Sequence, residues 1–253
     1  MLKSRLIPVL LLDRNCLVKT VKFSNPNYIG DPINTVLIFN ELEVDELIFL
    51  DIKASLNNDD PNFKILRKIA DECFMPLAYG GGISSLDIAK NIFDIGFEKI
   101  VINSHAMTNP KLIEELAHQF GSQAIIVAID VRSNIFGKQT VRTLSGRINS
   151  NEQPLDWAKK VESLGAGEII LTSIDREGSW GGYDLELIKK ISDAISIPVI
   201  ANGGCGSLSH IKKVINESHA SAAGLSSMVL YQKKDMGVLI NTPDKKEIEE
   251  ILK

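Results

Sequence analysis

Two aspartates close strongly apolar runs: Asp51 ends Leu47-Ile48-Phe49-Leu50, and Asp130 ends Ile125-Ile126-Val127-Ala128-Ile129. A carboxylate at the edge of an apolar surface holds its proton to higher pH and can act as a general acid or base. An aspartate so placed can also simply cap the next helix. For Asp130 the next helical pattern begins only near Pro154, too far away to be capped, which favours the acid–base reading.

A second kind of chemistry is written twice. The stretch Pro76–Leu86 runs through Gly80-Gly81-Gly82 to Ser84-Ser85, and Pro198–Leu208 runs through Gly203-Gly204 to Ser207. Gly81 and Gly203 lie 122 positions apart, as do Leu86 and Leu208, in a chain of 253 residues. Adjacent glycines let backbone N–H groups approach an anion, and a serine-capped helix adds its positive end. Asn103-Ser104 and Ser226-Ser227 follow the next apolar run in each half, so each half offers one phosphate grip. Either glycine pair could alone be only a tight turn.

Stepping outward to the elements, eight short apolar runs alternate with amphipathic segments. The runs lie near Arg5–Leu11, Glu46–Asp51, Pro76–Tyr79, Lys99–Asn103, Gln123–Asp130, Glu168–Ser173, Pro198–Asn202 and Ser221–Leu225. They are continuously apolar, as parallel strands buried on both faces require. Helical patterns fall at Asp31–Glu43, Asn62–Cys73, Leu86–Phe93, Pro110–Phe120, Pro154–Leu164, Leu185–Ala194 and Leu208–Asn216. Thr242-Pro243 is expected to open a last helix to Lys253, with threonine as cap. Eight strand–helix units predict an α/β fold, a (β/α)₈ TIM barrel with an internal half-barrel duplication, over 1–253 as one domain. An open doubly wound sheet is the structural alternative. Gly137–Ser150 reads as a small hairpin after strand five, and Asp13–Ile29 as a long basic loop carrying Arg14, Lys19 and Lys22.

Composition narrows the partners. The formal net charge of −4 disfavours nucleic acid and anionic membrane, so phosphate must be held by local dipoles. Cys16, Cys73 and Cys205 are odd in number and form no CxxC pair, which suits reduced thiols in the cytoplasm. No histidine shows metal-ligand spacing, and neither a metal nor a cofactor is expected. The first apolar run is too short for a signal peptide, and none approaches the ~20 residues of a membrane span. Arg5, Glu46, Lys99 and Glu168 stand immediately before or at the starts of strands one, two, four and six. They are either solvated bottom-face charges or a closed ionic ring across the lower opening.

Together these residues resemble the cyclase subunit of imidazole glycerol phosphate synthase, the HisF family, over essentially the whole chain. The matching stretches include Gly30-Asp31-Pro32, Tyr79–Ile83, Ile102-Asn103-Ser104, Gly121–Asp130, Leu164–Ser173 and Ile200–Gly206. The resemblance implies a barrel taking ammonia from a HisH-type glutaminase on its N-terminal face to a doubly phosphorylated ribonucleotide at the other end. Family products are imidazole glycerol phosphate and AICAR. It implies that Arg5, Glu46, Lys99 and Glu168 form an ammonia gate, which favours the ring. It also implies that Lys19, Asp51, Gly81, Gly82, Asn103, Ser104, Thr172, Glu177, Gly203, Gly204, Ser226 and Ser227 bind the phosphorylated substrate. Of the family's two catalytic aspartates, Asp130 matches the second. The first falls on Leu11, and Asp13 lies two residues on, roughly 6–7 Å further along the strand. Asp13 could replace the missing acid only if a bulge folded it back. Ala78 stands for a usual threonine and Glu177 for a usual aspartate. The altered first strand is similar to HisF-like paralogues of surface-polysaccharide (lipopolysaccharide) clusters, which pair with a HisH-like glutaminase and a WbpG-type sugar amidotransferase.

Overall fold

A computed structural model describes residues 4–252; Met1–Lys3 and Lys253 lie outside the described residues, as do the side chains of Lys245 and Glu249. The strands are β1 (Arg5–Asp13), β2 (Cys16–Val21), β3 (Ser24–Gly30), β4 (Leu47–Asp51), β5 (Leu77–Gly80) and β6 (Lys99–Ile102). They continue with β7 (Ile125–Ser133), β8 (Gln139–Thr143), β9 (Ile148–Asn149), β10 (Glu168–Ser173), β11 (Val199–Asn202) and β12 (Ala222–Leu225). Parallel pairing runs β1-β4-β5-β6-β7-β10-β11-β12 and returns from β12 to β1, so eight strands close into a barrel. The open-sheet alternative is excluded by that closure.

Alternate residues of each strand bury on opposite faces, which is why the runs read as continuously apolar. Ile7, Val9, Ile48, Ala78, Val101, Ile126, Ala128 and Ile170 fill the barrel interior. Leu10, Phe49, Val127 and Leu171 point outward against the helices. The helices start where capping chemistry allows. Asp31 Oδ1 accepts from the N–H of Ile33 and Asn34 before Pro32–Glu41, and Ser85 and Ser207 accept from Ile88 and His210. The last helix spans Lys245–Leu252 and is capped by Asp244, which accepts from Lys246 and Glu247. The expected cap at Thr242 is therefore corrected: the Asp244 carboxylate, not the Thr242 hydroxyl, takes the first amides of this helix.

The duplication is visible in the backbone. β5 and β11 each hold four residues, 122 positions apart. Asn103 (φ −133°, ψ −80°) and Ser226 (φ −131°, ψ −83°) adopt nearly the same conformation before the short helices Ser104–Thr108 and Ser227–Leu230. Residues 13–29, expected as a loop, instead form most of a hairpin: β2 pairs antiparallel with β1 and with β3. The segment 137–150 forms the expected hairpin, with β8 antiparallel to both β7 and β9.

Candidate functional site

A cavity of about 630 Å³ opens at the C-terminal ends of the barrel strands. Lys19, Asp51, Gly81, Gly82, Asn103, Ser104, Asp130, Thr172, Glu177, Gly203, Gly204, Ser226 and Ser227 all line it. Asp13 does not. It ends β1 opposite Cys16 at the hairpin turn, while Val9 and Leu11, two and one alternations earlier, face the cavity. No bulge folds Asp13 back, because the β1–β2 register runs unbroken through Leu11, Leu12 and Asp13. The stand-in expectation for Asp13 is thereby corrected, and Leu11 fills that part of the mouth with hydrocarbon.

Asp130 sits where an acid–base group is useful. Asn103 donates Nδ2 to its Oδ2 at 3.0 Å and also to the Ala128 carbonyl at 3.0 Å. Burial pushes the Asp130 carboxyl up to about 7, against the lowering effect of the Thr172 hydroxyl. Thr172 is itself fixed by a bond from Asn202 Nδ2 at 3.1 Å. A carboxyl titrating near neutral pH can both give and take a proton. Asp51 serves two purposes at once: its Oδ1 accepts from Lys53 and Ala54, and its half-buried carboxyl is raised by burial. The capping reading of Asp51 therefore holds in the structure.

Lys19 and Glu177 form a buried ion pair that clasps the β2–β3 hairpin over the cavity. Glu177 Oε2 also accepts from the Thr20 hydroxyl and the Phe23 amide, each at 3.2 Å, and its carbonyl accepts from Lys22. Burial lowers the Lys19 ammonium below its ordinary value. At the glycine loops, Gly81, Gly82, Gly203 and Gly204 all have positive φ. Gly82 gives its N–H to Ser55, and Ser104 Oγ accepts from Leu144. His210 supports the second loop by accepting from Gly206 at 3.2 Å.

Four basic residues of the cavity escaped sequence reasoning: Lys53, Arg132, Arg142 and Arg147. Arg142 and Arg147 sit in the hairpin segment 137–150 and Arg132 on the β7 strand that pairs with it; the alternation Arg142, Leu144 against Val141, Thr143 was the available signal. Among the described residues no group of three or more His, Cys, Asp or Glu side chains could hold a metal.

At the opposite end the four charges interlock. Arg5 Nη1 meets Glu46 at 2.7 Å and its Nη2 meets Glu168; Lys99 Nζ meets Glu46 at 2.9 Å and Glu168 at 3.2 Å. The solvated alternative fails because both glutamates are buried. Among the described residues, the barrel interior is an apolar cluster that includes Ile7, Ile48, Ile126 and Ile170.

A family model described as "Histidine biosynthesis protein" matches residues 5–235 of this chain. The chain belongs to that family. Three similar proteins bear names qualified as putative. The imidazole glycerol phosphate synthase subunit HisF of Leptospira borgpetersenii is 46% identical, over 96% of this chain and 96% of its own. Subunit hisF2 of Pseudomonas aeruginosa is 44% identical over 98% and 99%. Subunit hisF3 of Vibrio vulnificus is 41% identical over 100% and 97%. The likeness therefore runs over nearly the full length of the chain. No helix among the described residues is long and apolar enough to cross a membrane.

Proposed function

We propose that this chain is the synthase subunit of a cytoplasmic glutamine-dependent lyase-type complex. It takes ammonia from a HisH-like glutaminase docked on the ring face. Ammonia then travels through the apolar interior to a phosphorylated substrate held by the two glycine loops, and is used there or handed to a WbpG-type amidotransferase for sugar amidation in surface-polysaccharide synthesis. The observation that supports this reading is the placement of the four-charge ring at the strand starts and of Asp130 in the cavity at the strand ends, with apolar side chains in the barrel interior. Neutral ammonia crosses an apolar lumen far more readily than ammonium, whose charge such a lumen cannot solvate. The free thiols of Cys16, Cys73 and Cys205 support a reducing compartment.

Leu11 separates this reading from ordinary cyclase chemistry in histidine synthesis. With one of two acid–base groups replaced by hydrocarbon, cyclase turnover should fall by several orders of magnitude. The test supplies ammonium and the family's ribonucleotide intermediate to the isolated chain. Turnover is expected to be negligible and to become measurable in Leu11→Asp; cyclase-level turnover by the unaltered chain overturns the amidation reading. Reconstitution with glutaminase and amidotransferase should amidate the sugar. Amidation intact in Asp130→Asn but uncoupled in Arg5→Ala would instead support a pure ammonia-conducting scaffold.

A further inference from the structure

Arg142 stands in β8 directly opposite Asp130 in β7. Opposed residues of an antiparallel ladder send their side chains to the same face, with Cβ atoms about 4.5–5.5 Å apart. Both line the cavity. Two other cations of the cavity have partners: Lys19 is held by Glu177, and Arg132 gives Nη2 to the Lys22 carbonyl at 3.1 Å. Arg142 is different. Its Nε is buried with no hydrogen-bond partner, and its guanidinium joins no ion pair among the described residues. Among the described residues no hydrogen bond or ion pair joins it to Asp130, whose Oδ2 accepts from Asn103. Leu11 brings no second carboxylate to this mouth. Native proteins seldom leave a buried donor without an acceptor, so the unpartnered Nε of a cavity-lining arginine points to an oxyanion on the ligand.

We propose that Arg142 is a carboxylate-binding residue, so that the substrate carries a carboxylate in addition to phosphate. The assignment rests on the reading of the glycine loops as phosphate grips. Those loops offer backbone N–H groups, which suit a tetrahedral anion at a terminus. Arg142 instead offers the planar two-donor edge of Nε and Nη, which matches a carboxylate. The spacing fits a compact ligand. Leu144, two residues beyond Arg142, gives its N–H to Ser104 Oγ at 3.0 Å. Arg142 is thus roughly 7 Å along the chain from the first-half loop. A phosphate at Ser104 and a carboxylate at Arg142 would set the intervening carbons beside Asp130.

The test is calorimetric binding of two probes to the full chain: glycerol 3-phosphate, and 3-phosphoglycerate, which replaces the hydroxymethyl end by a carboxylate. The unaltered protein should bind 3-phosphoglycerate about tenfold more tightly. Arg142→Met should bind the two equally, with glycerol 3-phosphate affinity held within about twofold. Arg142→Lys, which keeps the charge and loses the fork, should retain only part of the preference and decides the matter if Arg142→Met does not fold. Equal binding of both probes by the unaltered chain, or a preference surviving in the variants, overturns the assignment while leaving the phosphate grips standing. Failure of glycerol 3-phosphate to bind at all overturns the grips, and the Arg142 assignment with them.

Discussion

Asn103 Nδ2 and Asp130 Oδ2 meet at 3.0 Å across neighbouring strands, β6 and β7, at the mouth of the barrel. The amide holds one carboxyl oxygen in place. Burial outweighs the lowering effect of the Thr172 hydroxyl and keeps Asp130 protonated to about pH 7, against an ordinary value of 3.8.

That difference makes stability pH-dependent. Between those two values the folded chain holds a proton that the unfolded chain has released. The stabilisation is therefore complete below about pH 4 and is lost as pH rises through about 7. Asp130→Asn removes the ionisable group. At pH 8 it should be more stable than the unaltered protein by on the order of 2 kcal/mol, with the gap closing toward pH 4. Urea melts at both pH values check this, and an equal gap at each would contradict it.

The four-charge ring should behave as a unit. Arg5→Met or Lys99→Met leaves each buried glutamate with one cation, at a cost of about 1–3 kcal/mol. The double variant strands both glutamates, and its loss should exceed the sum of the single losses by about 1 kcal/mol or more. Strictly additive losses in denaturant melts would mean that the two cations act independently.

Tyr79 presents the reverse case. It is 1% exposed, packs edge-on against Phe97, and its hydroxyl is buried with no partner. Burial raises that hydroxyl's pKa, with the Asp51 charge adding to the effect. Removing an unsatisfied polar group relieves its desolvation cost, so Tyr79→Phe should leave stability unchanged or raise it by about 1 kcal/mol. A loss of that size would reveal an acceptor the contacts do not show.

The second glycine loop can be separated from a simple turn by comparing two glycines of similar conformation. Gly203 has φ +90°, and a Cβ there would lie 2.8 Å from the Ser173 carbonyl oxygen. Gly137 has φ +78° and nothing within 4 Å of an added Cβ. Gly137→Ala should cost about 1 kcal/mol, and Gly203→Ala at least about 2 kcal/mol because a backbone oxygen must also move. Only Gly203→Ala should weaken binding of inorganic phosphate.

The barrel was legible because its determinants are local. Branched apolar runs, serine and aspartate caps and regular alternation each act within a few residues. Both glycine loops were legible for the same reason. The β2–β3 hairpin was not, since Ser24–Gly30 is rich in asparagine and proline and its first five residues are exposed. It is ordered by β1 on one side and by Glu177, far along the chain, on the other. The Lys19–Glu177 clasp and the approach of Arg142 to Asp130 depend on the same distant pairings.

By itself, then, the sequence determined eight buried strands, two glycine-rich loops, and four charges at or just before strand starts. Which side chains face one another was decided only by barrel closure. Closure turns Arg5, Glu46, Lys99 and Glu168 from separate charges into an interlocked ring. The rise of about 3.3 Å per strand residue then does the rest: it puts Leu11 in the cavity and carries Asp13 past it to the turn.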